Sequence, residues 1–270
     1  MKLCEIYKIA NELAPKRLSD EYCQAYGAYD NSGVLIETGD EITGVVCSLD
    51  FSLAAIEKAI NTGANLILTH HPAIYGKLGE ICASDFQPIG EKLVRAIEKG
   101  VSVISMHLNL DAAERGIDES LAQGICRSAG AGASLPQNVR IMHPLSSGGY
   151  GRVYDVEKTS LFRLVENMKT TFETQRVCVY GAEKEIGRVA SFCGGGADEQ
   201  AVEFACKQGA DVIVSSDFKH HVITLALERN LTVIALTHYA SENYGFKKYY
   251  EKIRQRIGIP CQYHTDEILL

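Results

Sequence analysis

Two adjacent histidines, His70 and His71, are the residues of this chain that point most directly to chemistry. They follow an apolar run at residues 65–69, and Pro72 comes directly after them. Histidine is the commonest metal ligand among side chains, and a short apolar run between Gly63 and Pro72 is typical of a buried strand. The pair therefore predicts a metal site where that strand ends. The alternative is two polar residues leaving a sheet, one of them bonded to a backbone carbonyl.

Polar side chains suited to metal binding or proton transfer follow the other predicted buried strands as well. Six of the eight histidines lie at these strand ends. In open α/β sheets, ligands bind beyond the carboxyl ends of the strands, so the clustering predicts one functional region. The residues are Asp50, His70, His71, His107, Asn109, Asp111, Ser215, Ser216, Asp217, His220, His221, Thr237, His238 and Glu242.

His238 and Glu242 stand four residues apart at the start of a predicted helix, so both side chains project from one face. Such a pair supplies two metal ligands together, although an ordinary surface pair has the same spacing. Asp111 has a short carboxylate that could bridge two ions. His107 could be a ligand, a residue that orients a ligand, or a capping or core histidine.

The candidate ligands are more numerous than one ion needs. Three histidines and two carboxylates exceed the requirement of one tetrahedral ion with an open position. Two ions about 3.5–4 Å apart would use them all. Imidazole and carboxylate suit zinc, iron, manganese or nickel, and the sequence leaves that choice open.

The elements that carry these residues occur twice along the chain. Residues 55–69 and 201–215 share Ala, Glu, Ala, Gly, Ala and Ile in register, and residues 96–104 resemble residues 226–234 in the same order. Helical periodicity alternating with β-branched runs is typical of α/β proteins with mostly parallel or mixed sheets flanked by helices. We therefore expect two α/β lobes related by internal duplication, although unrelated α/β segments also share such patterns.

The lobes are expected at residues 1–130 plus 236–270, carrying most of the ligands, and at residues 131–235. Loop and edge structure is expected to begin at residue 131. The N-terminal residues 1–17 predict an amphipathic helix. The remaining elements are predicted as strands at 44–49, 65–69, 101–106, 149–156, 177–180, 188–193, 211–214 and 231–236, and as helices at 160–171 and 242–257.

Composition limits the possible partners and location. The chain of 270 residues has a net charge of −7, which makes nucleic-acid binding unlikely because phosphate contacts need clustered Lys and Arg. Its nine cysteines include no CxxC pair, which favours a reducing cytoplasm. No stretch approaches the roughly 20 apolar residues that span a bilayer, and the N-terminus lacks the pattern of a signal peptide.

Two further segments have weaker signals. Residues 193–196 (Cys-Gly-Gly-Gly) lie between a strand and a helix, where backbone N–H groups could bind a phosphate or simply form a tight turn. Residues 30–33 (Asp-Asn-Ser-Gly) have the composition of a turn.

Taken in order, these elements resemble the Nif-three-like dinuclear-metal proteins, a group often labelled type-two GTP cyclohydrolase I. The resemblance covers nearly the whole chain. The chain differs from the family pattern at Leu108, Thr237 and residues 215–217, which removes no implied ligand but changes residues around the site. The matching segments are residues 30–33, 69–72, 107–111, 193–196, 216–221 and 238–242.

The resemblance implies His70, His71, Asp111, His238 and Glu242 as ligands of two divalent transition-metal ions. It implies that Asp111 and Glu242 touch or bridge both ions. It also implies two intertwined lobes and a toroidal homohexamer with the sites facing an inner cavity.

A metal-dependent hydrolase is the first function that these residues suggest. A hydroxide held between two ions would open the guanine ring of GTP, or cleave a phosphoester or amide of another small molecule. His107 or His221 would move the proton, and Asp217 is a further candidate catalytic residue. Neither a P-loop nor a basic cluster for a triphosphate is evident. The alternative is a non-catalytic protein that stores or delivers metal or serves as an interaction scaffold.

Overall fold

The structure is a computed structural model that describes residues 1–83, 88–130 and 135–269. Residues 131–134, where the second lobe was expected to begin, and residue 270 lie outside the described part. Two compact units form: unit 1 is Met1–Ala113 with Phe246–Thr265, and unit 2 is Glu114–Gly245 with Asp266–Leu270.

Helices and strands alternate along most of the chain. The first elements are α1 (Leu3–Leu13), α2 (Lys16–Tyr26), β1 (Gly33–Ile36), β2 (Val45–Ser48), α3 (Leu53–Thr62), β3 (Leu66–Thr69), α4 (Pro88–Glu98), β4 (Ser102–Ser105) and α5 (Leu108–Ala112). They are followed by α6 (Ile117–Ala129), β5 (Gln137–Pro144), β6 (Gly149–Ser160), α7 (Leu161–Thr171), β7 (Val177–Tyr180), β8 (Glu185–Ser191), α8 (Glu199–Lys207), β9 (Val212–Ser215), α9 (His220–Glu228), β10 (Thr232–Leu236), α10 (His238–Arg254), β11 (Cys261–His264) and a 3-10 turn (Glu267–Leu269).

Each unit contains one mixed sheet, and the two sheets share an arrangement. In unit 1 the strand order is β1-β4-β3-β2-β11, in which only β1 runs antiparallel to its neighbour. In unit 2 the order is β5-β6-β8-β9-β10-β7, with β8, β9 and β10 parallel and β7 antiparallel to β10. The series β1-β4-β3-β2 thus recurs as β7-β10-β9-β8. This confirms the expected α/β fold with a repeated strand arrangement.

The sequence of each repeat explains its helices and strands. Strands β2, β3 and β4 are buried along their whole length, as runs of Val, Ile and Leu between flanking helices require. Ser52 caps α3 by accepting a hydrogen bond from the Ala55 N–H, and Gly63 ends that helix in a left-handed conformation. The core of unit 1 includes Ile56, Ile67 and Val103.

The expected N-terminal helix over residues 1–17 is wrong in its extent. The first helix ends at Leu13 and a second begins at Lys16, with Pro15 as its N-cap. Proline has no backbone N–H and disfavours helical geometry in the residue before it, so a helix cannot run through this position.

The two units differ from the expected lobes in three segments. Residues 114–130, 236–245 and 266–270 belong to unit 2, whereas the sequence placed them in the first lobe. Helix α6 explains the first difference, because it packs on α7 and β6. The second boundary falls inside α10, where a continuous helix gives the sequence no signal of a change. In the described residues, no helix is both long and apolar enough to cross a bilayer.

Candidate metal centre

The strand pairing of unit 1 collects the polar residues that follow β2, β3 and β4. Ser48 on β2 lies opposite Thr69 on β3, which lies opposite Ser105 on β4. The residues just beyond these strands therefore meet at one edge of the sheet. The backbone N–H groups of His70 and His71 both donate to the Leu49 carbonyl, at 3.2 and 2.9 Å.

Three histidines converge at this edge. One ring nitrogen from each of His70, His71 and His107 lies within 4.8 Å of one from each of the other two. The ring centroid of His70 lies 4.8 Å from that of His71 and 5.2 Å from that of His107. Such a group is of the right size to surround a metal ion, since Zn–N bonds are about 2 Å long.

Each of the three imidazoles is oriented through its Nδ1 atom. Nδ1 of His70 lies 2.9 Å from the Met106 carbonyl oxygen, and Nδ1 of His71 lies 2.8 Å from a carboxylate oxygen of Asp50. Nδ1 of His107 lies 2.7 Å from a carboxylate oxygen of Asp30. Because these oxygens accept, each Nδ1 donates a proton and each neutral ring keeps its lone pair on Nε2. This is the orientation of metal-ligating histidines.

The Asp30 carboxylate is ionised and accepts hydrogen bonds from several side chains. Burial raises the pKa of its carboxyl, but hydrogen bonds from His107, Ser19 and Ser32 more than offset this and hold the pKa well below its usual range. The Ser32 hydroxyl also accepts the His107 backbone N–H at 3.0 Å. Residues 30–32 therefore fix both the ring and the backbone of His107. The turn predicted for residues 30–33 is wrong, because this segment leads directly into β1, which begins at Gly33.

Asp111 lies on α5, directly after the His107 strand exit, and is buried. One of its carboxylate oxygens lies 3.5 Å from Nε2 of His70. Unit 1 thus places a buried carboxylate beside Nε2 of His70.

Unit 2 brings together three of the predicted site residues. His238 is the first residue of α10, and its Nε2 lies 3.1 Å from a carboxylate oxygen of Glu242, one turn later. Nδ1 of His238 contacts the Asp217 carboxylate, which follows β9. Asp217 therefore orients the His238 ring in the same way as Asp30 and Asp50 orient rings in unit 1.

The glycine-rich loop at residues 193–196 packs on this pair. A side chain at Gly194 would collide with a Glu242 carboxylate oxygen, and the φ angle of Gly194 is +57°, which favours glycine. The Gly194 N–H donates to the Ser241 hydroxyl, and its carbonyl accepts from Ser215 and Ser216. At Gly194 the backbone polar groups thus hold the loop in place, so this residue offers no N–H to a phosphate.

His221 is not brought to either residue set. It lies on α9, exposed, and its Nε2 is 2.7 Å from a carboxylate oxygen of Glu199 on α8. Across the described ranges, no candidate metal-holding group includes His221.

Asp30 and Asp50 were not assigned a role from the sequence. Asp50 follows a predicted strand, as the candidate ligands His70 and His71 do, and this position was the signal that could have identified it. Asp30 gave only a turn signature. His264 was also missed, because β11 was not predicted: it ends that strand opposite Ser48, at the same sheet edge.

Comparison with known proteins identifies the family. The model of the Duf34/NIF3 (NGG1p interacting factor 3) family matches residues 1–265. A GTP cyclohydrolase 1 type 2 homolog from Clostridium acetobutylicum is 28% identical, over 90% of this chain and 85% of that protein. A homolog of the same name from Methanocaldococcus jannaschii is 29% identical over 96% of this chain and 97% of that protein.

A solved structure agrees with the sequence matches. Reduced HcgD from Methanocaldococcus jannaschii superposes with a TM-score of 0.79 at 26% identity, covering 97% of both chains. The family model and the similar structure both extend over nearly the whole chain, as the resemblance in the sequence implied. The chain belongs to the Duf34/NIF3 family.

Proposed function

We propose that this chain binds two divalent transition-metal ions through His70, His71, Asp111, His238 and Glu242 and uses them to hydrolyse a small molecule. The observation that carries the proposal is the shared orientation of the histidines. Four histidine rings, His107 among them, have Nδ1 against an oxygen acceptor, so each neutral ring carries its lone pair on Nε2, the atom that would face a metal. Packing alone gives no reason to repeat this arrangement four times.

The donor set fits such ions. Imidazole nitrogens with carboxylate oxygens suit zinc, iron, manganese or nickel. The carboxylates of Asp111 and Glu242 are both buried, where a negative charge is costly without a counter-charge. A pair of divalent cations would supply that charge. When bound, the ions supply Lewis acidity and lower the pKa of a coordinated water.

We assign the remaining polar residues by their contacts. His107 is the candidate proton carrier, because it lies with His70 and His71 and its ring is fixed by Asp30. His221 is not assigned that role, since it pairs with Glu199 at the surface. Asp217 is a positioning residue rather than a catalytic one, because it acts through the His238 ring.

A nucleotide is the substrate class we favour, through the family. Relatives of this chain are named GTP cyclohydrolase 1 type 2 homologs, and ring-opening hydrolysis of a purine needs an activated water, which bound metal ions would provide. Phosphoester or amide hydrolysis would use the same residues.

The test is a substrate screen that includes GTP, on protein of known metal content, beside an Asp111→Asn variant. We expect turnover in the wild type and a loss of about 100-fold or more in the variant, with an unchanged circular dichroism spectrum. Asp20→Asn on the surface of α2 is the control. Exchangeable ions with no turnover of any substrate would instead indicate storage or delivery.

We further propose a toroidal homohexamer in the cytoplasm, as the family resemblance implies. Among the cysteines of the described part none forms a disulfide, which suits a reducing compartment. Light scattering should give six times the mass of one chain, and a monomer mass would contradict the hexamer.

A further inference from the structure

Two exposed tyrosines lie beside the three-histidine cluster of unit 1. Tyr75 comes four residues after His71, and its ring centroid lies 6.1 Å from that of His107, with the planes nearly perpendicular. Tyr29 directly precedes Asp30, and its ring meets Tyr75 edge-to-face with the centroids 5.5 Å apart. The exposed fractions are 61% for Tyr75 and 51% for Tyr29. We call these two residues the tyrosine pair.

The tyrosine pair is held in place although it is exposed. The Tyr75 hydroxyl donates to the Tyr29 carbonyl at 3.4 Å. The Asn31 side-chain amide donates to the Ile74 carbonyl at 2.7 Å, which ties the segment before β1 to the segment after His71. An edge-to-face contact with His107 completes the support. A large apolar ring is thus fixed with most of its surface in solvent.

We propose that the tyrosine pair is a stacking subsite for a planar heteroaromatic ring, of the size of a purine, with Tyr75 as the stacking residue. A fixed aromatic side chain gives a ligand contact area without the entropic cost of ordering a flexible one. Stacking on aromatic side chains is how proteins hold unpaired bases. The His107 ring beside Tyr75 would bring such a ligand to the metal centre.

The groups around the tyrosine pair favour an aromatic ligand over an aliphatic ligand or an anion without a ring. The His107 imidazole contacts the Tyr75 ring, and the carboxylate of Asp30, which follows Tyr29, is buried with its oxygens already accepting hydrogen bonds. Both tyrosines are more than half exposed, and an aromatic ring pairs with another π-system by offset or edge-to-face stacking. The proposal rests on the proposed function only in assigning the ring to the substrate.

The experiment is calorimetric titration of the full-length, metal-loaded protein with GMP, AMP and ribose 5-phosphate. We compare wild type with Tyr75→Leu, Tyr75→Phe and the control Phe162→Leu. Phe162 is 69% exposed on α7 in unit 2, so its removal also deletes an exposed aromatic ring. The same titrations are repeated after EDTA treatment, and metal content is measured for each variant.

We expect Tyr75→Leu to weaken GMP and AMP binding by about 5- to 150-fold, the range for losing one stacked base. The affinity of Tyr75→Phe for GMP and AMP should stay within about twofold of wild type, and that of Phe162→Leu should be unchanged. Ribose 5-phosphate, which has no base to stack, should bind Tyr75→Leu and wild type equally. Equal binding by Tyr75→Leu and wild type, or no binding of either nucleotide to wild type, would overturn the proposal. If the chain takes up no metal but still shows the Tyr75 effect, the proposed function is refuted and the stacking subsite stands.

Discussion

At the residue scale, a carboxylate or carbonyl oxygen sets the tautomer and the ring orientation of each candidate site histidine. Asp30, Asp50 and Asp217 each contact a different imidazole through Nδ1, and the Met106 carbonyl does the same for His70. An acceptor at Nδ1 fixes the tautomer and raises the basicity of Nε2. The partners of the histidines therefore matter nearly as much as the histidines themselves.

The variant Asp217→Ala tests this at one ring. We expect it to weaken metal binding by about 10- to 100-fold, because His238 loses the group that orients it. Asp217→Asn should lose less metal affinity. Its side-chain oxygen can still accept a hydrogen bond from the His238 ring, and asparagine tolerates the φ of +50° at this position. Competition with a chelator measures the affinities.

His221→Gln is the matched control for that variant. His221 also pairs with a carboxylate on a neighbouring helix, but on the surface. It should bind metal as the wild type does. If Asp217→Ala binds metal as tightly as the wild type does, then His238 is not a ligand or its ring needs no support from Asp217.

At the element scale, the site could be predicted from the sequence where single strands place its residues, but not where the pairing of distant strands does. The ends of β3 and β4 were predictable, because apolar runs before His70 and His107 mark buried strands. The link between Asp30 and His107 was not, because 77 residues separate them. It arises when β1 pairs antiparallel with β4, Gly33 opposite Ser105, which brings the residues before β1 to those after β4.

A buried ion pair supports the glycine-rich loop of unit 2. The Asp118 carboxylate on α6 accepts from Arg152 Nε at 2.6 Å and from the backbone N–H groups of Gly151 and Cys193 at 3.1 and 3.3 Å. Burial lowers the pKa of Arg152, but Asp118 more than offsets this and the pKa is raised. The pair thereby connects α6 and β6 to the loop that packs on Glu242.

Asp118→Asn should reduce the free energy of unfolding by about 3–5 kcal/mol, because it leaves the buried Arg152 guanidinium without its counter-charge. Urea unfolding followed by circular dichroism measures the loss. Glu185→Gln removes the partner of Lys158 at the surface and should have no measurable effect. Equal stability of the two variants would show that the buried pair does not support this unit.

At the scale of the whole molecule, the repeated arrangement of strands accounts for where the candidate site residues lie. Both units carry a parallel series, β2-β3-β4 and β8-β9-β10, and in both the polar residues follow the carboxyl ends of these strands. The matching runs at residues 55–69 and 201–215 made this repeat visible in the sequence. The sequence did not reveal the unit boundary after Gly245, because it falls inside a helix.

Metal content per chain is the most direct test of the central proposal, that His70, His71, Asp111, His238 and Glu242 bind two metal ions. Elemental analysis should find about two divalent transition-metal ions per chain in the wild type. It should find a clear loss both in His70→Ala/His71→Ala and in His238→Ala/Glu242→Gln, with folding checked by circular dichroism. Wild-type metal content in either double variant would contradict the account.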